Sequence, residues 1–150
     1  MLEVIIVFLC GLFFGSFANV CIYRMPRELS VIKPRSHCTK CNKQISWYDN
    51  IPVLSYIFLK AKCRECGTKI GIIYPFIELI CAVLFLLMYY LYGFTYILPV
   101  FCIFVFSMLV ITAIDFEFQI IPDEFSLLLV VVGLGTSFFN YTLADTVLQR

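Results

Sequence analysis

The sequence predicts an all-α polytopic membrane protein with about four transmembrane helices and one small polar insertion, and three observations predict it. Hydrophobic residues make up 62% of the 150 residues and charged residues 14%, against about 45–50% and about 25% in soluble globular proteins. The mean hydropathy is +0.96. Ten of the eleven Lys and Arg lie in one segment, from Arg24 to Lys69. Together these features exclude a disordered chain, a nucleic-acid-binding tail and an ordinary cytosolic enzyme.

Four apolar stretches approach the length of about 20 residues that a transmembrane helix needs. They are residues 2–23, 74–92, 96–114 and about 124–141. A signal peptide is the alternative for the first, but Glu3 stands where a basic cluster belongs, and the apolar region is too long. Asp123 is placed to cap the first turn of the fourth stretch. Small residues at Gly11, Gly15 and Asn19 recur every four positions, which permits close helix packing.

The basic residues set the predicted orientation, because segments rich in Lys and Arg remain on the cytoplasmic side. Residues 24–73, here called the four-cysteine loop, are therefore predicted to be cytoplasmic. The 93–95 turn is then outside, the 115–124 turn is inside, and the residues from Asn140 return to the outer face. Aromatic residues crowd the outer turn as an interfacial belt would; they are Tyr89, Tyr90, Tyr92, Phe94 and Tyr96.

Two CxxC pairs lie in the four-cysteine loop, with 21 residues between them. Two such pairs supply four thiolates to one tetrahedral Zn²⁺, which would hold together a segment too short to fold on its own core. The predicted ligands of this zinc-ribbon-like insertion, between helices 1 and 2 of the membrane part, are Cys38, Cys41, Cys63 and Cys66. Disulfides or free redox thiols are the alternative, disfavoured in the cytoplasm.

The other cysteines and the single histidine are predicted to be bystanders. A thiol within an apolar span behaves as a small apolar side chain, and four cysteines lie in such spans: Cys10, Cys21, Cys81 and Cys102. His37 adjoins a predicted ligand, but the four thiols already complete a zinc site.

Acidic residues at the predicted inner face are candidates for catalysis. Asp115 stands at the end of the third stretch, and an ionisable group at the edge of the hydrocarbon is a functional candidate by default. Paired with a second carboxylate, it could share one proton and activate water. The alternative is that Asp115 and Glu117 only mark the helix end in water. Glu78, inside the second stretch, is either a partner or a buried structural group.

Motifs along nearly the whole chain resemble one family. They are Gly15-Ser16-Phe17-Ala18-Asn19-Val20 with Arg24-Met25-Pro26, Arg35-Ser36-His37-Cys38 to Cys41, residues 47–56, Lys62-Cys63-Arg64-Glu65-Cys66, Tyr74-Pro75 with Glu78, and Ala113-Ile114-Asp115 with Ile121-Pro122-Asp123. This pattern resembles the type IV prepilin peptidases, the bifunctional leader peptidase/N-methyltransferases of bacterial membranes. Departures from it are Thr39 for a frequent proline, Ala61 for a common glycine, and Ile73 for a frequent arginine.

The resemblance implies a membrane aspartic endopeptidase of the bacterial inner membrane. It would remove the leaders of type IV prepilins and of type II secretion pseudopilins at the cytoplasmic face, and then methylate the new N-terminus with S-adenosylmethionine. Asp115 would be the first catalytic aspartate. The family's second aspartate lies in a later Gly-x-Gly-Asp motif, which this sequence lacks, so the second catalytic aspartate is expected beyond residue 150. Asp145 is predicted to lie on the opposite face from Asp115.

We therefore expect residues 1–23 to form the first transmembrane helix, 24–73 the zinc-binding loop, and 74–150 a truncated first part of the peptidase domain. The 150 residues alone are not expected to be a competent peptidase. Two other functions fit the same features. One is a non-catalytic membrane adaptor with a zinc ribbon, and the other is a remnant that kept only the methyltransferase.

Overall fold

Helices dominate the computed structural model, which describes residues 1–138. The helices are α1 (Leu2–Arg24), α2 (Leu54–Phe58), α3 (Ile73–Tyr92), α4 (Leu98–Phe118) and α5 (Asp123–Phe138). Within the four-cysteine loop, regular structure is limited to α2, two short 3₁₀ turns and two isolated β-bridges. The predicted return of the chain near Asn140, and Asp145, lie outside the described residues.

Three of the helices confirm the predicted spans. Residues 2–27, 73–92 and 98–118 are long and apolar enough to cross a membrane. The described part of α5 has 16 residues, and the rest of the predicted fourth stretch lies beyond it. The structure thus confirms the all-α class with a four-cysteine insertion after the first span. It also moves the end of the third span from residue 114 to Phe118.

Local backbone signals explain where the helices end. Gly93 follows α3 with a φ of +66°, a conformation that glycine adopts without a steric penalty. Gln119 ends α4 in the left-handed region and donates its N–H to the Asp115 carbonyl at 2.9 Å, which satisfies one free carbonyl of the last turn. Asp123 is the first residue of α5, one position later than the cap that the sequence suggested.

Consecutive long helices run antiparallel, so α1 and α4 run in the same direction and α3 runs in the opposite one. At one end, the Tyr89 hydroxyl donates to the Glu3 carboxylate at 2.6 Å, which joins the end of α3 to the start of α1. At the other end, the Arg27 guanidinium lies 5.1 Å from the centre of the Phe118 ring, which joins the residues after α1 to the end of α4. The four-cysteine loop and the Asp115 turn therefore lie at the same end of the bundle.

Glycine allows α1 and α3 to approach each other closely. A Cβ at Gly11 would lie 2.5 Å from the Ala82 Cα, and one at Gly15 would lie 2.5 Å from the Glu78 Cα. Cys21 and Cys81 are buried in the same core, in agreement with their predicted packing role. Large apolar side chains such as Phe13 and Val83 are exposed, as expected for faces that contact lipid.

Replacing Gly15 with alanine is expected to destabilise the bundle by about 1–3 kcal/mol, because the new methyl group overpacks the contact between two backbones. The measurement is the thermal midpoint in detergent. Gly133→Ala is the matched control, since a Cβ there meets nothing within 4 Å, and it should be neutral or slightly stabilising through helix propensity. Equal midpoints for the two variants would contradict the close packing of α1 and α3.

Candidate functional site

The two CxxC pairs adopt the same local fold. Cys38 donates its N–H to the carbonyl five residues ahead at 2.9 Å, and Cys63 does the same at 2.8 Å. The residue four positions after each, Asn42 or Gly67, has a left-handed φ of +55° or +67° and donates its N–H back to the cysteine carbonyl. An isolated antiparallel bridge closes each turn. These are two copies of one metal-knuckle turn, 25 residues apart.

The four predicted ligand sulfurs converge. The Sγ atoms of the two CxxC pairs all lie within 4.8 Å of one another, and those of Cys38 and Cys66 are 3.7 Å apart. A tetrahedron with Zn–S bonds of about 2.3 Å has sulfurs about 3.8 Å apart. Both the chemistry and the spacing of these donors therefore fit Zn²⁺. His37 is not in this group, and its Nδ1 lies 3.3 Å from the Arg35 carbonyl oxygen.

Negative charge on one thiol of the cluster disfavours negative charge on its neighbours, and a bound dication would offset this repulsion. Hydrogen bonds from the Thr68 hydroxyl and N–H lower the pKa of Cys66 to about 6. The N–H of Cys41 lowers the pKa of Cys38. The N–H of Lys43 lowers the pKa of Cys41, but burial and the neighbouring thiols outweigh it and raise the value to about 11. Part of the cluster is thus favoured as thiolate, the form that binds metal.

The entry to the second knuckle carries backbone strain. Lys60 and Ala61 have φ values of +51° and +58°, a region that costs a residue with a Cβ roughly 1–2 kcal/mol. Position 61 is also where the resemblance led us to expect glycine.

Ala61→Gly is therefore expected to stabilise the four-cysteine loop by about 1 kcal/mol, seen as a higher temperature of zinc release. The matched control is Ala113→Gly inside α4, where the same change costs about 1 kcal/mol of helix stability. A lower temperature of zinc release in Ala61→Gly than in the wild type would show that position 61 is not strained.

Polar side chains of the membrane helices hold the backbone of the four-cysteine loop. Arg24, which is buried, donates from Nη1 to the Ser30 carbonyl at 2.8 Å and from Nη2 to the Pro34 carbonyl at 2.7 Å. Asn19 of α1 donates from Nδ2 to the Tyr74 carbonyl at 3.0 Å, which joins α1 to the first turn of α3 just after the loop. From the sequence, Arg24 was noted only as part of a motif and as one of the basic residues that set the membrane orientation. Its position directly after an apolar helix was the available signal, because a buried guanidinium needs acceptors.

Glu78 is a buried hydrogen-bonded group, one of the two roles that the sequence left open. Its side chain is 8% exposed, and its Oε2 accepts the Val53 N–H at 2.8 Å. Val53 directly precedes α2 and has a φ of +59°. Glu78 thus joins the second turn of α3 to the middle of the four-cysteine loop, and it lies on a different element from Asp115.

One ion pair joins the second knuckle to the rest of the loop, and another joins the two knuckles to each other. Arg64 donates from Nε to Asp49 Oδ2 at 2.8 Å and from Nη2 to Oδ1 at 2.5 Å, which lowers the pKa of the Asp49 carboxyl. Lys43 of the first knuckle donates to Glu65 of the second at 2.6 Å. A bidentate arginine–carboxylate pair fixes orientation as well as distance.

A cavity of about 440 Å³ lies between these polar groups and the ends of the membrane helices. Its wall includes Asn19 from α1, Glu78 from α3 and Tyr56 from α2. The sequence analysis did not predict this cavity, because it forms only where the loop covers the helices.

Asp115 lies in the last turn of α4 and is exposed, as is Glu117. No hydrogen bond in the described part of the chain joins the Asp115 carboxylate to another carboxylate. The Asp115 side chain is therefore accessible at the surface of the described bundle.

Comparison with known proteins gives a consistent result. The family model for the bacterial peptidase A24 N-terminal domain matches residues 9–92. Proteins named prepilin leader peptidase/N-methyltransferase from Myxococcus xanthus, Neisseria gonorrhoeae and Klebsiella pneumoniae are 36%, 37% and 40% identical to this chain over 91%, 83% and 85% of its length.

The chain covers 41%, 52% and 58% of those three relatives, so it spans about half their length. No solved structure matches it. The family match includes α1 from residue 9 onward, the four-cysteine loop and α3, and the resemblance seen in the sequence is confirmed. This chain belongs to the bacterial peptidase A24 N-terminal domain family, the family of the prepilin peptidases.

Proposed function

We propose that this chain is the N-terminal part of an inner-membrane aspartic endopeptidase. The enzyme removes the leaders of type IV prepilins and pseudopilins at the cytoplasmic face, and then methylates the new N-terminus. The observation that carries the proposal is the likeness to relatives named prepilin leader peptidase/N-methyltransferase over most of the chain. The location of Asp115 at the same end of the bundle as the basic loop supports it.

Asp115 is the proposed first catalytic carboxylate. In an aspartic peptidase two carboxyl groups share one proton, so that one deprotonates the attacking water while the other protonates the leaving amine. The second carboxylate is proposed to come from the Gly-x-Gly-Asp motif that the family resemblance implies and that residues 1–150 lack. The exposed position of Asp115 at a helix end is suited to such a pairing, whereas the carboxylate of Glu78 is engaged with the Val53 N–H.

The four-cysteine loop is proposed to be a structural zinc domain on the cytoplasmic side. Four thiolates leave no open coordination position for water, which is typical of structural rather than catalytic zinc. The metal would thus hold the two knuckles together and stabilise the wall of the cavity. The high density of Lys and Arg in the loop supports a cytoplasmic location.

The proposal is tested by incubating the complete native membrane protein with a purified prepilin and sequencing the N-terminus of the product. We expect one cut that removes the basic leader. A protein that binds zinc but leaves prepilin intact would instead support the non-catalytic adaptor. Methylation of an already cleaved pilin, without cleavage, would support the methyltransferase-only remnant.

A further inference from the structure

The cavity under the four-cysteine loop has the size of a small-molecule site. Its volume of about 440 Å³ lies within the range of about 300–1,000 Å³ for ligand pockets. Its wall combines polar and aromatic side chains from both membrane helices and the loop, and it includes Ser16, Asn19, Tyr48, Tyr56 and Glu78. A cavity of this kind suits an organic ligand that has both a polar group and a planar group.

The Glu78 carboxylate is the charge on the cavity wall that favours a ligand with a positive centre. The wall carries three carboxylates and also four basic side chains, which are Arg24, Lys43, Arg64 and Lys69. Asp49 is neutralised by Arg64, and Glu65 by Lys43. Glu78 forms no ion pair with any basic side chain of residues 1–138; its partner is a neutral donor, the Val53 N–H. A buried carboxylate without a counter-ion is costly, and a cationic ligand would supply one.

We propose that this cavity binds the methyl donor, an adenosyl sulfonium compound, with Glu78 neutralising the sulfonium charge. The inference rests on the proposed function, which requires such a donor. Tyrosine rings at Tyr48 and Tyr56 supply flat surfaces for the purine, since aromatic faces stack on nucleobases and attract cations. The proposal assigns Glu78 a ligand-binding role in addition to its hydrogen bond with the loop.

The location of the cavity suits a reaction on a freshly cut N-terminus. Glu78 lies in the second turn of α3, at the same end of the bundle as the Asp115 turn. When the donor is bound, the lone pair of the pilin amine forms the new N–C bond as the C–S bond breaks, leaving a neutral thioether on the donor and releasing the amine proton to water.

The test compares binding of S-adenosylmethionine and its neutral product S-adenosylhomocysteine by calorimetry, using the zinc-loaded native protein in detergent. We expect the wild type to bind S-adenosylmethionine more tightly than S-adenosylhomocysteine. Glu78→Gln should reduce the ratio of these two affinities about tenfold. Its affinity for S-adenosylhomocysteine should stay unchanged. Gln keeps an acceptor for the Val53 N–H. Glu28→Gln, which changes a carboxylate outside the cavity wall, is the matched control and should keep the preference.

Tyr56→Ala gives an independent test should Glu78→Gln not fold. It should weaken the binding of both ligands by a similar factor, about tenfold, because the purine is common to both. An unchanged preference in a folded Glu78→Gln variant, or unchanged binding of both ligands by Tyr56→Ala, would overturn the assignment. If the wild type methylates cleaved pilin while these variants bind like wild type, the cavity assignment is wrong and the proposed function stands. If the wild type neither binds the donor nor methylates, both are wrong.

Discussion

Asp115→Asn is expected to lower prepilin cleavage by about 10²- to 10⁴-fold, the usual contribution of a general acid–base group. Asparagine keeps the size and polarity of the side chain but cannot accept a proton. The change lies at the exposed end of α4, so we expect no effect on the fold or on the zinc content. The measurement is the rate of leader removal by the native membrane protein, with bound zinc measured on the same preparation.

Glu117→Gln is the matched control for Asp115→Asn. Glu117 is also exposed and lies two residues further along the same helix, where side chains point to roughly opposite sides. We expect cleavage close to the wild-type rate. Normal cleavage by Asp115→Asn would contradict the assignment of Asp115 as a catalytic carboxylate.

Cys38→Ser is expected to cause the largest loss of stability in the four-cysteine loop. Structural zinc contributes about 10–16 kcal/mol of apparent binding free energy in zinc-finger peptides, and the variant leaves three thiolates in a site built for four. We expect the zinc content to fall well below that of the wild type and the loop to become sensitive to protease. Elemental analysis after dialysis against a mild chelator measures the first effect, and limited proteolysis measures the second.

The control for Cys38→Ser is Cys10→Ser, the same chemical change on the exposed face of α1. It should leave zinc content and protease resistance unchanged. If Cys38→Ser keeps the zinc content of the wild type, the assignment of a four-thiolate zinc site is wrong.

The local features were predictable from the sequence because they depend on short-range patterns. Apolar runs of about 20 residues identified α1, α3 and α4, and the CxxC spacing identified the knuckles. The location of Asp115 at the same end of the bundle as the four-cysteine loop required only a count of membrane crossings. Each of these features depends on residues that are close in sequence, or on the fact that successive transmembrane helices run in opposite directions.

The contacts between the loop and the helices could not be predicted in the same way. The acceptor of the Val53 N–H is 25 residues away, and nothing in the residues around Val53 specifies it. Arg24 binds carbonyl groups, which every residue carries, so its partners Ser30 and Pro34 are set by the path of the loop and not by their side chains. The cavity depends on both sets of contacts.

The most direct test of the central claim is mass spectrometry of pilin from cells that make the native protein, with Asp115→Asn as the paired sample. We expect pilin that has lost its leader and gained one N-terminal methyl group in the wild type, and pilin with an intact leader in the variant. Leader-free pilin in the variant would contradict the catalytic role of Asp115. An intact leader in both samples, when the protein is present and zinc-loaded, would contradict the proposed peptidase function.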